Sequence, residues 1–173
     1  MSKKRILIWS SLLLITGVCL YNFYPEDPLP EVAVVDKIVV YKSKRALQVY
    51  NGENLLKTYQ IALGGNPVGH KQYEGDSKTP EGVYYITDKN PSSGFHKNLG
   101  VSYPNEKDRA YARSIGKSPG GDIKIHGLRN YTPFLGKFHR LSDWTAGCMA
   151  LTNQEIDELF RSVKVGSPIE IYP

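Results

Sequence analysis

Cysteine is scarce in this chain of 173 residues: there are two. Cys19 lies inside an apolar run near the N-terminus, so Cys148 has no partner in the rest of the chain. That excludes a disulfide framework and the small secreted scaffolds built on one. Histidine is nearly as scarce, at four, and neither H-E-x-x-H nor a paired C-x-x-C spacing occurs. The usual zinc signatures are therefore missing. Charge of one sign is also weak. The formal net charge is +5, and from Glu31 onward 19 basic residues stand against 15 acidic ones, dispersed along the chain. Such a balance suits an anionic wall or membrane surface and gives no footing for a nucleic-acid partner. No internal repeat or low-complexity segment breaks the sequence, and only one long apolar run exists.

That run is at the N-terminus. Ser2, Lys3, Lys4 and Arg5 form a positive stretch, and residues 6–21 are uncharged and mostly apolar. Sixteen residues of helix span roughly 24 Å, short of a hydrocarbon core of about 30 Å, and Phe23 and Tyr24 extend the segment toward an interface. No A-x-A cleavage site follows, and Thr16-Gly17-Val18-Cys19 lacks the small residue that a lipobox needs before its cysteine. The pattern predicts an uncleaved signal anchor over 1–30 with its basic end in the cytoplasm, a cleaved signal being the alternative. Residues 25–31, with Pro28 and Pro30, read as a short stiff linker. Residues 31–173, 11 prolines, 16 glycines and 12 tyrosines being spread over the whole chain, read as one loop-rich, mainly β domain.

A lone thiol in an exported domain is either inert and buried or functional. Its surroundings favour function. Cys148 follows Gly147 in the stretch S-D-W-T-A-G-C-M-A-L (142–151), and Ile125-His126-Gly127 places a histidine 22 positions upstream. A free thiol titrates well above neutrality, so a nucleophilic cysteine needs a base, commonly a histidine brought close by the fold. Glycine before the nucleophile leaves backbone N–H groups open toward a developing oxyanion.

Along the chain, 34–41 reads as a strand, and 46–50 and 54–63 as a hairpin around Asn51-Gly52. Residues 64–81 form a long polar loop in which His70 is expected to be exposed. Strands follow at 82–87 and 99–103. Residues 88–98 between them read as a loop carrying His96 at the surface. Residues 108–115 predict two helical turns with Ala110, Tyr111 and Ile115 inward. In 122–126, Ile123 and Ile125 alternate with Asp122 and Lys124, a strand that ends on His126. Residues 127–141 read as an aromatic and basic loop that either packs on its own aromatics or walls a cleft. Thr152-Asn153-Gln154-Glu155 is a capping box opening a helix whose buried face is Ile156, Leu159, Phe160 and Val163, with Gly166 closing it. Residues 168–172 make a last strand.

Several stretches together resemble the L,D-transpeptidase catalytic domain, also called the YkuD domain, over roughly 34–172. They are K-I-V-V-Y-K-S-K-R, L-G-G-N-P-V-G-H-K, G-D-S-K-T-P-E-G-V-Y, V-S-Y-P-N, P-G-G-D-I-K-I-H-G and D-W-T-A-G-C-M-A-L-T-N. The resemblance implies a mainly β, sandwich-like domain with one or two short helices. It also implies attack on the L,D bond of a peptidoglycan tetrapeptide stem. Cys148 is then the nucleophile, His126 the base, the Gly127 carbonyl the group holding the imidazole, and Gly147 with Cys148 the source of oxyanion N–H groups. Tyr103, Arg129, Trp144 and Thr145 are the candidate substrate contacts. No metal or organic cofactor is implied. The partners are peptidoglycan stem peptides and the cytoplasmic membrane, and the protein is expected to be a monomer. Many family members carry histidine where this chain has Ala146, and arginine or asparagine where it has Ala150.

Three other readings stay open from the sequence. The same acyl-enzyme could pass to water, giving a murein L,D-carboxypeptidase or hydrolase. The domain could be a wall-binding module with an unused site. His126, His139 and Cys148 could hold zinc in a hydrolase.

Overall fold

The computed structural model describes residues 3–24 and 26–173. Ser2 of the basic stretch and Pro25 of the expected linker lie outside the described residues. Helix α1, Lys3–Phe23, carries the apolar run and is about 30 Å long, enough by length and composition to cross a membrane.

The body is built on eight strands: β1 (Lys37–Tyr41), β2 (Ala46–Asn51), β3 (Asn54–Gln60), β4 (Gly82–Ser93), β5 (His96–Val101), β6 (Lys124–His126), β7 (Met149–Ala150) and β8 (Pro168–Tyr172). They form a single curled sheet in the order β3-β2-β1-β8-β4-β5-β6-β7. The fold is thus mainly β, as expected from the sequence. β1 to β3 are the expected antiparallel meander, with the tight turn at Gly52–Glu53 between the facing pair Asn51 and Asn54. β8 lies parallel to β1 and antiparallel to β4, so the C-terminal strand is the seam between the two parts of the sheet.

The two ends of the sheet meet. Leaving β3, the chain bridges Ala62 to Ala150 and Gly64 to Thr145. Four backbone hydrogen bonds of 2.8–3.1 Å between 62–65 and 145–150 complete this join. Both ends of the stretch that contains Cys148 are therefore held by main chain. The core inside the curl is aliphatic, with Ile38, Val40, Leu47, Leu99, Ile125 and Ile169 all fully buried.

Helix α3, Asn153–Ser162, covers one side of this core. Its capping box is formed, with Thr152 accepting from the Glu155 N–H and Glu155 accepting from Thr152. Ile156, Leu159 and Val163 are buried, which is worth about 1.5–3 kcal/mol each. Phe160 packs at the margin. The helix ends at Ser162, and Gly166 serves in the turn before β8 rather than as the helix stop.

Four expectations are corrected. Residues 88–98 are not a loop: β4 runs on to Ser93 and turns into β5 at His96. Pro91 falls where the β4–β5 register shifts between Asn90 and Ser93, one of the places where a strand tolerates proline. Helix α2, Glu106–Ser114, buries Asp108 and Ala112, whereas Tyr111 and Ile115 are exposed. The helix is oriented by polar anchoring, since Asp108 closes a capping box with Asn105 and accepts from the Tyr84 hydroxyl at 2.9 Å. His70 is half-buried rather than exposed. It accepts from the Glu81 N–H at Nδ1 (2.9 Å), so Nε2 carries the proton and donates to Asp108 at 3.0 Å. Finally, 133–141 is a 3-10 segment, Pro133–Leu141, kinked at Gly136.

Candidate active site

His126 is the last residue of β6 and its backbone is fixed on both sides. It pairs with Asn98 of β5 and Ala150 of β7, and its carbonyl accepts from the Leu151 N–H at 2.9 Å. Side chains alternate along extended chain, so Cys148, two positions before Ala150, is directed to the same face as His126. Both line one cleft of about 510 Å³ together with Phe95, Asn98, Lys124, Arg129, Trp144 and Thr145. Register alone therefore brings the two candidate residues together across 22 positions of sequence.

The imidazole tautomer follows from its neighbour. His126 Nδ1 lies 2.7 Å from the Gly127 carbonyl oxygen, which can only accept. Nδ1 therefore carries the proton and Nε2 keeps its lone pair. Burial lowers the His126 pKa; the Gly127 carbonyl opposes this and Lys124 adds to it. Phe95 packs against the ring at 4.5 Å between centroids, and Trp144 meets it edge-on at 5.7 Å.

The thiol is half-buried. Cys148 Sγ donates to the Asp122 carbonyl at 3.6 Å. Asp122 itself adopts φ 60°, in the left-handed region that aspartate enters more readily than most residues. Burial raises the Cys148 pKa; the Lys124 N–H opposes the rise, and the Asp122 carboxylate reinforces it. Both shifts favour the uncharged state. The resting pair is thiol and neutral imidazole.

Two expectations about the nucleophile turn change. Gly147 does not offer a free N–H: it donates to Thr145 Oγ1 at 3.0 Å, and the same hydroxyl donates to the Cys148 carbonyl at 2.8 Å. Among the described residues, the Cys148 N–H has no acceptor. The glycine is needed for a different reason. Its φ is 133°, and a Cβ there would sit 2.5 Å from the Lys78 carbonyl oxygen, so the 64–81 loop leaves room for nothing larger. Thr145, 8% exposed, thus braces the turn as well as lining the cleft.

Of the other candidates, Arg129 and Trp144 line the cleft. Tyr103 does not. It is 4% exposed, packed edge-on against Tyr84 at 5.9 Å, and its hydroxyl donates to the Pro119 carbonyl at 2.9 Å. It supports the turn leading to Asp122 from behind. His139 is buried on the far side of Trp144, against that ring at 6.5 Å, and lines a separate cavity of about 360 Å³. Burial, with Arg140 and His126 adding to it, pushes its pKa down to about 3. It does not converge with His126 and Cys148. No group of three or more histidine, cysteine or acidic side chains placed to hold a metal occurs among the described residues. Ala146 is exposed at the cleft, whereas Ala150 is fully buried in β7 opposite Ala62.

The sequence reading missed one wall of the cleft altogether. Asn90, Ser92, Ser93 and Phe95 come from the β4–β5 hairpin, and Asn98 stands across from His126. Asn98 is 3% exposed, and its Oδ1 has no hydrogen-bond partner among the described residues. Nothing in the sequence marked these residues, since they reach the site only through the hairpin's register.

Similarity to known proteins extends over most of the chain. The YkuD family, described as the L,D-transpeptidase catalytic domain, matches residues 35–171. YafK of Escherichia coli K12, whose assignment as an L,D-transpeptidase is provisional, is 33% identical over 149 residues, covering 79% of this chain and 53% of YafK. YqjB of Bacillus subtilis, likewise provisionally assigned, is 27% identical over 149 residues, covering 84% of this chain and 74% of YqjB. The chain thus spans about half the length of YafK. Among solved structures, the helical cell shape determining protein Pgp2 of Campylobacter jejuni superposes with a TM-score of 0.60 at 26% identity, over 84% of this chain and 51% of Pgp2. An L,D-transpeptidase of Mycobacterium smegmatis shares the fold, with a TM-score of 0.53 at 14% identity over 79% of this chain and 58% of that one. The chain belongs to the L,D-transpeptidase catalytic domain family.

Proposed function

We propose that the protein is a peptidoglycan L,D-transpeptidase that works through a thioester on Cys148. The observation that carries this reading is the fixed tautomer of His126: with Nδ1 given to the Gly127 carbonyl, the free Nε2 lone pair belongs to the cleft that Cys148 shares. In the first half-reaction Nε2 takes the thiol proton as Sγ attacks the carbonyl of the L,D bond, between the diamino acid of the stem and its terminal D-alanine. The Cys148 N–H is the donor available to the tetrahedral oxyanion. Protonated His126 then gives its proton to the departing D-alanine amine, leaving the thioester. In the second half-reaction Nε2 takes a proton from an acceptor amine as that amine attacks the thioester. A cross-link forms and the thiol is restored. The donor peptide lies along the β4–β5 hairpin, with Arg129, Trp144 and Thr145 beside it.

We place this domain outside the cytoplasmic membrane on the uncleaved helix α1, in keeping with a wall substrate and with the basic residues at the start of the helix. Incubation with disaccharide-tetrapeptide tests the reaction. L,D-transpeptidation yields dimers with release of D-alanine. Tripeptide monomers alone would reassign the protein as an L,D-carboxypeptidase, and unchanged substrate with a slowly labelled thiol would reassign it as a binding module.

A further inference from the structure

The end of α1 is built into the catalytic domain. Asn22, 4% exposed, accepts from the Phe138 N–H at 3.1 Å and donates to the Phe134 carbonyl at 3.4 Å. The kink at Gly136 is shaped around it: φ there is 45°, and a Cβ would lie 2.9 Å from Asn22 Oδ1. Tyr21 lies under the Lys137 ammonium at 5.3 Å. The segment that follows is tied down as well. Glu26 pairs with Lys137 at 3.0 Å and Arg140 at 3.2 Å, and buried Leu29 donates its N–H to Glu158 at 3.1 Å. A linker free to extend seven residues reaches roughly 25 Å. Clamped in this way, it reaches nowhere. These contacts tie the 3-10 segment Pro133–Leu141 to the end of the apolar helix.

This fixes what surrounds the 3-10 segment. The segment exposes Phe134 (63%), whose carbonyl accepts from Asn22, and Leu141 (84%), which shares a groove with α1, and its flank exposes Tyr131 (90%). The groove, of about 700 Å³, lies between α1, through Leu13, Leu14 and Val18, and the domain's Arg45, Gln60 and Arg140. The neighbouring cations Lys137 and Arg140 are already occupied by Glu26, and Arg45 by Asp143. These cations are paired, so they do not form a free basic patch beside the exposed apolar side chains. Apolar and aromatic side chains at the mouth of a membrane-spanning helix belong at the bilayer interface.

We propose that the exposed side chains Tyr131, Phe134 and Leu141 dock on the outer leaflet of the bilayer that α1 crosses, so that the cleft, which shares Arg129 and Trp144 with the cavity beside the 3-10 segment, is held at the membrane surface. This rests on the anchor reading above. The consequence is an enzyme confined to membrane-proximal stem peptides, unable to range through the wall on a tether.

The test uses the full chain with Cys19→Ser and Cys148→Ser, reconstituted in phosphatidylethanolamine–phosphatidylglycerol vesicles. One spin label is placed in turn at Leu12, Phe134, Leu141 or Val165, the last lying beyond the far end of α3 from the Arg140–Glu155 pair. Collision with oxygen, which concentrates in lipid, is compared with collision with a water-soluble nickel chelate. Docking predicts an oxygen-to-nickel ratio highest at position 12, clearly raised at 134 and 141, and lowest at 165. Ratios at 134 and 141 equal to that at 165, with position 12 still in hydrocarbon, would overturn docking and leave the anchor standing. An aqueous position 12, or a mature chain that lacks it, would overturn the anchor reading and docking with it.

Discussion

Replacing Thr145 by valine removes a hydroxyl and little volume, and the hydroxyl serves two backbone groups at once. The Gly147 N–H loses its acceptor and the Cys148 carbonyl loses its donor. An unsatisfied buried polar group costs about 1–3 kcal/mol. The N–H is buried and the carbonyl partly so, which puts the total at about 2–4 kcal/mol. For a body of this size that corresponds to a fall in melting temperature of roughly 10 °C. The kinetic effect should be separate. The Cys148 N–H is oriented by the same turn, and loss of one oxyanion donor costs about 100- to 1,000-fold. Partial disorder of the turn should therefore slow acylation by about 10- to 100-fold. Thermal unfolding and the single-turnover rate of D-alanine release read the two effects, and Thr145→Ser should restore both. A valine variant with wild-type melting and wild-type acylation would refute the bracing role of the hydroxyl.

Other consequences follow from the same geometry. Burial holds the His126 pKa below its ordinary value, so the acid limb of the acylation pH profile should lie below the usual histidine range of about 6.5. His126→Ala should abolish most acylation at neutral pH and recover part of it only above the ordinary thiol range, because burial raises the Cys148 pKa. A variant as active as wild type at neutral pH would remove His126 from the role. At Asp76, burial raises the pKa, but donation from Gln72, Lys71, Lys78 and Tyr73 outweighs it and the net shift is downward. Its contribution is therefore present above the unfolded value of about 4 and lost as pH falls through the lower folded value. Asp76→Asn, which strands buried Lys71, should cost about 3–5 kcal/mol in urea unfolding at neutral pH. An unchanged midpoint would mean that the 64–81 loop is held by other contacts.

What could be read from the sequence was what repeats locally. The capping box at Thr152, the Ile123–Ile125 alternation and the hairpin between β2 and β3 each sit within a few residues, and each formed as expected. Cys148 and His126 could be singled out as candidates because few residue types can do the proposed chemistry. The failures have a common cause in contacts between distant segments. Residues 88–98 read as a loop, yet they carry the β4–β5 hairpin, with Pro91 at a register shift. The inward face of α2 was misjudged because a buried aspartate, not its apolar residues, decides the helix's rotation. Gly147 was read as freeing an N–H, but the Lys78 carbonyl, some seventy positions away, is what requires it. Tyr103 looked like a surface contact until Tyr84 and Pro119 were placed around it.

The central claim is that Cys148 is the acylated residue, and a carbapenem tests it most directly. The family resemblance implies that its strained ring carbonyl mimics the acyl donor. Thiolate attack opens the ring, and the whole molecule stays on sulfur as a thioester. Intact-protein mass spectrometry of the full chain should show one adduct of the carbapenem's own mass, and peptide mapping should place it on Cys148. Cys19→Ser should keep the adduct and Cys148→Ser should lose it, since a hydroxyl is far less acidic than a thiol. An adduct on any other residue, or none on the folded wild-type chain, would contradict the assignment.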